Sequence, residues 1–259
     1  MNQLSENLEI ALKAARAGAE IVRERFGNIP KTRIKSDSET IVTDTDLAAE
    51  KAILKVLREN SDYGIISEES GQSGLTDGPQ WVVDPLDGTS NFARGLPLFA
   101  VSVGLVHGSQ SIVGAIIDPV LQDEYYAEKG AGAFCNGEEL EMPAYRNDQG
   151  INIFLNHGSG NSDKQKCAKL NGKLCSDYRL RKLGTTALEL CYLANGSFDG
   201  FICSGDELWD YAAGMIIATE AGCVFTDWHG NPWKMGEEHL LFARPEVHGK
   251  LVENIRDLQ

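Results

Sequence analysis

The chain has 259 residues, of which 42% are apolar, and its formal net charge at pH 7 is −14. That length and apolar content allow one large core, so we expect a single domain spanning residues 1–259. The charge argues against a nucleic-acid surface, and the absence of a long apolar run or a basic leader argues against a membrane span or secretion signal, so a cytoplasmic protein is expected.

The predicted elements begin with two amphipathic helices. Apolar residues recur at helical spacing over residues 4–26, before Gly27, and again over residues 46–60. Strands follow where β-branched and aromatic residues gather, at residues 64–67, 80–84, 99–107, 111–117 and 124–127. Because most of these strands are consecutive, we expect a largely antiparallel sheet.

Strands and helices alternate in the second half of the chain. Strands are predicted at residues 151–156, 179–183 and 200–203, and helices at residues 164–170, 185–194 and 210–221. The segment 228–233 is typical of a hairpin turn with packed aromatic side chains. From the residues alone, an α+β fold with a largely antiparallel sheet is expected.

The most informative motif, Asp84-Pro85-Leu86-Asp87-Gly88-Thr89, lies where a predicted strand ends. Pro85 cannot continue a central strand and Gly88 permits a tight backbone, so both aspartates should be held on a stiff turn. Gly88 and Thr89 can then open a helix whose N–H groups suit a phosphate. Taken alone, the motif is equally typical of an ordinary turn.

Two other segments also offer carboxylates at the ends of predicted elements. Glu68-Glu69 follows an apolar strand, and Asp210 opens a helical pattern. A cluster of carboxylates would repel a phosphate ester unless divalent cations lay between them. Oxygen ligands without soft donors favour Mg²⁺ or Mn²⁺ over zinc.

Together these segments resemble the inositol monophosphatase family of magnesium-dependent, lithium-sensitive phosphatases. The family pattern runs from an early Asp through Glu-Glu and Asp-Pro-(Ile/Leu)-Asp-Gly-Thr to Trp-Asp and a later Gly-Gly. The chain supplies Asp46, Glu68-Glu69, residues 84–89 and Trp209-Asp210, with Cys223 at the second of the later glycines. Residues 130–137 resemble the family's mid-chain hairpin, and the resemblance covers about residues 35–222.

The resemblance implies a layered αβαβα sandwich of the inositol monophosphatase and fructose-1,6-bisphosphatase type. It implies a phosphomonoesterase that cleaves a sugar or polyol monophosphate, such as inositol 1-phosphate, by direct attack of a metal-activated water. Two or three Mg²⁺ ions are expected, with Mn²⁺ as a substitute. A homodimer is expected from family behaviour alone.

Site residues carried over from the family fall into ligands and a proton relay. One Mg²⁺ is expected on Glu68, Asp84 and the Leu86 carbonyl oxygen, and a second on Asp84, Asp87 and Asp210. Glu69 is either a solvated neighbour or part of an outer site. Thr89 is the expected relay, with Asp46 accepting its proton and Glu68 completing the catalytic set, although Thr89 and Asp46 could each instead be helix caps.

Several further expectations concern phosphate and substrate. Gly88 and Thr89 are expected to bind the phosphate, and Lys35 to lie near the metals or on the surface. The candidate substrate contacts are Gly184, Thr185, Thr186 and Asp210, of which the first three could form only a helix cap. Animal inositol monophosphatases carry a hydroxyl-binding glutamate where this chain has Cys203. Broad specificity is therefore expected unless Asp206 or Glu207 replaces it.

Three alternatives accompany the main hypothesis. A histidinol-phosphate or fructose-1,6-bisphosphate phosphatase would use the same chemistry, and a regulatory protein of the same fold would act through the transcription machinery.

The Gly158-Ser159-Gly160 segment is expected to be an ordinary turn, and the scattered histidines to be surface or loop residues. Six cysteines without zinc or C-x-x-C spacing indicate reduced thiols.

Overall fold

Helices and strands alternate along the chain in the computed structural model, which describes residues 4–28, 32–34, 41–146, 148, 150–234 and 236–257. The helices are α1 (Glu6–Arg25), α2 (Asp44–Asn60), α3 (Thr89–Ala93), α4 (Asn161–Leu174), α5 (Thr186–Ala194), α6 (Leu208–Glu220) and α7 (Pro245–Ile255). The strands are β1 (Thr32–Ile34), β2 (Ile41–Thr43), β3 (Gly64–Ser67), β4 (Gly71–Ser73), β5 (Gln80–Asp87), β6 (Ala100–His107), β7 (Gln110–Asp118), β8 (Asp123–Glu128), β9 (Ala133–Cys135), β10 (Glu138–Glu139), β11 (Asn152–His157), β12 (Arg179–Arg181), β13 (Gly200–Ser204), β14 (Val224–Thr226) and β15 (His239–Ala243).

Two sheets form the framework. The larger has eight strands in the order β10-β9-β8-β7-β6-β5-β3-β4, and the smaller has five in the order β12-β11-β13-β15-β14, while β1 and β2 pair separately. The larger sheet is antiparallel, as predicted, except that β3 and β5 run parallel. The exception arises because β4 turns back on β3 as an edge strand before the chain enters β5 on the other side.

The helices pack in layers against both faces of the two sheets. Helices α1 and α2 cover the outer face of the larger sheet, α5 and α6 lie between the sheets, and α4 and α7 cover the outer face of the smaller sheet. Separate apolar clusters fill the spaces between successive layers. This arrangement is the αβαβα sandwich implied by the resemblance.

The central helix α6 packs unusually close to the larger sheet. Gly104 and Gly114 are partners on β6 and β7, and a Cβ on Gly114 would lie 2.4 Å from the Ala213 carbonyl oxygen. The Ser111 hydroxyl also donates to the Ala212 carbonyl oxygen at 2.7 Å. These contacts fix α6 against the sheet and thereby fix the positions of the side chains in its first turn.

Most predicted elements are present, with shifted ends. Helix α2 starts at Asp44, two residues before the predicted start, because Thr43 is its N-cap and Asp46 is its third residue. The hairpin predicted from residues 130–137 is β9 and β10, and Trp228 is buried in the turn between β14 and β15. Among the described residues, none of the helices combines the length and the apolar character needed to span a bilayer.

Candidate functional site

A cavity of about 490 Å³ opens where the ends of β3 and β5 meet the first turns of α3 and α6. Most of the predicted site residues line it, namely Glu68, Asp84, Leu86, Asp87, Gly88, Thr89, Gly184, Thr186 and Asp210. Segments far apart in sequence are therefore brought together as predicted. Lys35 lies outside the described residues, and Glu69 is not among the described residues that line the cavity.

Three aspartates form the acidic centre of the cavity. Asp84, Asp87 and Asp210 each offer a carboxylate oxygen, and these oxygens all lie within 4.8 Å of one another. A bulge in β5 between Asp84 and Asp87 aims both side chains to the same side, where regular alternation would separate them. The Leu86 N–H donates to Asp84 Oδ1 at 2.9 Å, and the Glu207 N–H donates to Asp210 Oδ2 at 2.8 Å.

Glu68 joins this centre through the parallel pairing of β3 with β5. Its own N–H donates to the Val83 carbonyl oxygen at 3.1 Å, which places it directly after β3 and beside Asp84. Burial raises the pKa of Asp84 well above its ordinary value, and the nearby Glu68 carboxylate raises it further. Glu68 and Asp84 therefore both line the cavity at the ends of neighbouring strands.

The carboxylates of the acidic centre repel one another when no cation is present. Burial, followed by the charge of Asp206, also raises the pKa of Asp210 well above its ordinary value. Burial raises the pKa of Asp87 to about 7, although two hydrogen bonds oppose this rise. Clustered carboxylates resist ionising together when no cation is bound. Their oxygen atoms are ligands that suit a hard divalent cation such as Mg²⁺.

Asp87 is held from behind by the start of α5. Its Oδ2 atom accepts hydrogen bonds from the Thr185 hydroxyl at 2.6 Å and from the Ala187 N–H at 2.7 Å. Thr185 is buried and does not line the cavity, unlike its neighbours Gly184 and Thr186. The geometry therefore gives Thr185 an orienting contact with Asp87 in place of the predicted contact with substrate.

Thr89 and Asp46 lie in contact at the rim of the acidic centre. The Thr89 Oγ1 atom is 2.9 Å from Asp46 Oδ1 and also 2.9 Å from the Leu86 carbonyl oxygen, so its single proton has two acceptors in reach. Thr89 is not the N-cap of α3, because Gly88 holds that position with φ of +92° and caps through no side chain. A Cβ on Gly88 would lie 2.8 Å from the Leu98 carbonyl oxygen, so the turn requires glycine.

Asp46 serves the relay contact and a helix cap together. Its Oδ1 atom accepts from Thr89, while Oδ2 accepts from the Thr43 N–H at 2.9 Å and from the Thr43 hydroxyl. The side chain is fully buried, and burial raises its pKa although these hydrogen bonds oppose the rise. Both hypotheses for Asp46 therefore have a structural counterpart, one on each oxygen.

Asn156, which the sequence reasoning did not place in the site, and Asp206, which it named only as a replacement for the missing glutamate, form another wall of the cavity. Asn156 and Asp206 both line it. The Thr186 hydroxyl donates to Asp206 at 2.8 Å, and the Asn156 amide nitrogen donates to buried Glu189. Burial raises the pKa of Glu189 to about 8, while the N–H groups of Leu183 and Gly184 oppose this rise.

Basic side chains also reach the cavity, and no motif in the sequence indicated them. Arg94, His157, Lys164 and Lys182 line it. Burial raises the pKa of Asp206, while hydrogen bonds from Cys203 and Thr186, followed by the nearby Lys182 and His157 side chains, oppose this rise. Gly158 and Ser159 line it as well, just before α4, so the segment assigned to an ordinary turn does contribute to the site. The pattern of charged residues at the ends of β11 and β12 could have signalled this wall.

The cysteines and the remaining histidines take no direct part in the acidic centre. All six thiols are free, and Cys203 is fully buried in β13. His239 departs from the prediction of a surface or loop residue, because it lies in β15 with its ring stacked on Trp228 at 4.1 Å between centroids. The contact buries one face of the ring in the core of the smaller sheet.

Comparison with known proteins gives concordant matches in sequence and structure. The family model for the inositol monophosphatase family matches residues 3–259. A protein from Pasteurella multocida named Nus factor SuhB is 35% identical over 96% of this chain and 95% of its own length. A fructose-1,6-bisphosphatase/inositol-1-monophosphatase from Aquifex aeolicus is 36% identical over 87% of both chains. The structure of an IMPase from Thermotoga maritima superimposes with a TM-score of 0.86 at 28% identity, covering 98% of each chain.

Proposed function

Because the chain belongs to the inositol monophosphatase family, we propose that it is a Mg²⁺-dependent phosphomonoesterase acting on small sugar or polyol monophosphates. The observation that carries this proposal is the set of three aspartate oxygens within 4.8 Å of one another in a cavity. Burial and mutual repulsion of these carboxylates destabilise the fold, so a structural role does not account for the cluster.

The proposed ligands are residues that line the cavity. Glu68, Asp84 and the Leu86 carbonyl oxygen would hold one Mg²⁺, and Asp84, Asp87 and Asp210 would hold a second. Bound there, the cations would supply Lewis-acid chemistry, lowering the pKa of water and offsetting the charge of the phosphate. Thr185 would keep the Asp87 carboxylate in the orientation that this ligand set needs.

Thr89 and Asp46 would move the proton that hydrolysis releases. Thr89 Oγ1 can pass its proton to Asp46 Oδ1 at 2.9 Å and take another from the attacking water. Asp46 suits this role because its raised pKa brings it closer to that of a working base. Gly88 and Thr89 line the cavity at the start of α3, and their N–H groups would bind the phosphate.

The experiment is a metal titration combined with a panel of phosphate esters. The wild-type protein should release phosphate from inositol 1-phosphate or a related ester only when Mg²⁺ or Mn²⁺ is added. Asp84→Asn and Asp210→Asn should weaken Mn²⁺ binding, measured directly by calorimetry, and lower kcat by at least about a hundredfold. The control is Asp118→Asn, which alters an equally buried carboxyl that caps the turn after β7, away from the cavity.

Retention of wild-type metal binding and rate in both ligand variants would contradict the assignment. A second candidate function is regulatory, and the observation in its favour is that the Pasteurella relative is named a Nus factor. The net charge of −14 does not by itself exclude a nucleic-acid partner for such a role. Absence of phosphate release from every ester at saturating Mg²⁺ and Mn²⁺ would favour the regulatory function.

A further inference from the structure

We propose that Glu50 is a positioning residue for Glu68, and that it acts by clamping the turn that carries Glu68 to helix α2. This inference rests on the proposed function, in which Glu68 holds one of the two cations. Glu50 belongs to α2 and does not line the cavity. Any effect on the cations would therefore pass through the turn after β3.

One oxygen of Glu50 holds both ends of this turn. Its Oε1 atom accepts hydrogen bonds from the Ser67 hydroxyl, and from the N–H and the hydroxyl of Ser70, each at 3.0 Å. Ser67 is the last residue of β3, and Glu68 lies between the two serines. Hydrogen bonds to an ionised carboxylate are about twice as strong as those between neutral groups. The clamp therefore restricts movement of the backbone on both sides of Glu68.

Strand pairing alone would hold this turn weakly. The turn, residues 68–70, joins β3 to β4, and β4 is an edge strand of three residues that pairs only with β3. The start of the turn is better fixed, because the Glu68 N–H donates to the Val83 carbonyl oxygen on β5 at 3.1 Å. A short two-stranded hairpin is marginally stable in water. Glu50 adds the constraint that β4 cannot supply.

The burial of Glu50 also points to the turn. The residue is 7% exposed, and burying a carboxylate destabilises a fold unless hydrogen bonds offset the cost. Within the described part of the chain, every hydrogen bond that the Glu50 side chain accepts comes from Ser67 or Ser70. Packing of α2 alone does not account for a buried acid at this position, because an apolar residue would pack there without that cost.

Helix α2 also connects the turn to a second part of the proposed site. Asp46 lies four residues before Glu50, so the two side chains project from the same face of the helix, one turn apart. Asp46 contacts the Thr89 hydroxyl, which lies 2.9 Å from the Leu86 carbonyl oxygen. Glu68 and the Leu86 carbonyl oxygen are proposed ligands of the same cation. One helical turn of α2 therefore fixes the spacing of the two segments that carry them.

The test is a double-mutant cycle between Glu50 and Glu68 that is measured by Mn²⁺ binding. Wild type, Glu50→Leu, Glu68→Gln and the double variant are titrated with Mn²⁺ in a calorimeter, and the Mg²⁺ dependence of phosphate release is measured for each. The control is Asp118→Leu, which removes another buried carboxyl that holds a turn, at Val120 and Leu121, outside the cavity. Urea denaturation gives the stability of each variant.

We expect Glu50→Leu to weaken one Mn²⁺ site by about 10–100-fold and to leave the other within about threefold. In the Glu68→Gln background, Glu50→Leu should change the remaining Mn²⁺ affinity by less than about threefold, because the residue through which it acts is already altered. The Mg²⁺ concentration for half-maximal activity should rise in Glu50→Leu as the Mn²⁺ affinity falls. Asp118→Leu should lose stability and bind Mn²⁺ as wild type does.

Two further variants complete the test. Glu50→Gln keeps an acceptor oxygen and should bind Mn²⁺ more tightly than Glu50→Leu. If Glu50→Leu does not fold, the combined variant Ser67→Ala with Ser70→Ala removes two of the three donors and leaves Glu50 in place, and it should weaken the same Mn²⁺ site.

An equally large loss of Mn²⁺ affinity in the Glu68→Gln background would overturn the inference. Unchanged Mn²⁺ binding in Glu50→Leu, or the same loss in Asp118→Leu, would overturn it as well. Each of these results would leave the proposed phosphomonoesterase intact, provided that the wild type releases phosphate with Mg²⁺. A wild-type protein that binds no Mn²⁺ and releases no phosphate would overturn the proposed function and this inference with it.

Discussion

At the scale of single residues, Asp46 shows how a structural contact and a chemical one share a side chain. One carboxylate oxygen closes the capping box of α2 with Thr43, and the other faces the Thr89 hydroxyl. Any substitution of Asp46 therefore changes the helix start and the contact with Thr89 together. Thr89 is the better probe, because it makes no capping hydrogen bond of its own.

We expect Thr89→Ala to lower kcat by about a hundredfold or more, because the proton acceptor Asp46 loses its link to the attacking water. The free energy of unfolding should change by less than about 1 kcal/mol, which is the usual cost of losing a cap. Steady-state kinetics and urea denaturation measure the two effects separately. Thr89→Ser is the matched control and should keep most of the activity, since it retains the hydroxyl.

A large loss of stability with normal kcat in Thr89→Ala would show that Thr89 is structural and that the relay assignment is wrong.

The acidic centre and Thr89 were easier to place from sequence than the residues around them. Asp84, Asp87 and Thr89 lie within one short motif, so their proximity follows from chain connectivity. Thr185 and Asn156 come near the centre only through the packing of α5 and the position of β11. A threonine or asparagine near a helix start has many uses, and the sequence does not show which partner tertiary packing provides.

At the scale of elements, the position of α6 depends on two glycines that do not line the cavity. Gly104 and Gly114 let the helix backbone approach the larger sheet, and Asp210 lies one turn before the point of contact at Ala213. Asp210 is the third residue of α6 and completes a capping box with the N-cap residue Glu207. Close packing in the middle of α6 therefore determines where the Asp210 carboxylate lies.

We expect Gly114→Ala to destabilise the fold by about 1–3 kcal/mol, because its Cβ would overlap the backbone of α6. The Mg²⁺ concentration for half-maximal activity should rise, since displacement of α6 carries Asp210 with it. Chemical denaturation and Mg²⁺ titration measure both effects. The control Gly172→Ala, at an exposed position of α4 with open space around it, should instead stabilise by about 0.5–1 kcal/mol.

Unchanged stability and Mg²⁺ dependence in Gly114→Ala would contradict the role assigned to this contact.

Element types followed from sequence pattern, but the partners of each strand did not. The apolar periodicity of α1 and α2 reflects the single face that each buries, so both helices were predictable. The parallel pairing of β3 with β5 depends on β4, a short exposed edge strand without an apolar pattern. The last strands and α7 were not predicted, although the run Leu240-Leu241-Phe242 and Pro245 at a helix start are usable signals.

At the scale of the whole molecule, the buried acids couple stability to pH and metal. The pKa values of Asp84 and Asp210 are raised well above their ordinary value and that of Asp87 to about 7, so the folded, metal-free protein holds protons that the unfolded chain has released. These bound protons stabilise the folded state at acidic pH, and this stabilisation is lost as pH rises from about 4 through about 7.

We therefore expect the melting temperature of the EDTA-treated protein to fall between pH 5.5 and pH 8. Mg²⁺ is added at one concentration, about 100 times its dissociation constant at pH 8. It should stabilise the protein by about 2.7 kcal/mol, or about 5–10 °C, at pH 8, and by much less at pH 5.5, where protons compete for the carboxylates. Differential scanning calorimetry at both pH values makes the comparison. Asp84→Asn with Asp210→Asn should flatten both dependences.

A Mg²⁺ stabilisation that was as large at pH 5.5 as at pH 8 would contradict the protonation of the cluster in the metal-free state.

The cavity takes its acidic cluster and the rest of its polar lining from largely separate stretches of chain. The cluster and the contact between Thr89 and Asp46 come from residues 46–89 and from Asp210, whereas Asn156, Lys182, Thr186 and Asp206 belong to the strands and loops of the smaller sheet and the start of α5. Thr185 in that second stretch holds Asp87, but substitutions at Asn156, Lys182 and Asp206 replace no residue of the cluster. Under the proposed function, the ester that is accepted can therefore change through one side of the cavity while the other side is inherited, and one scaffold of this kind can give rise to proteins of different names.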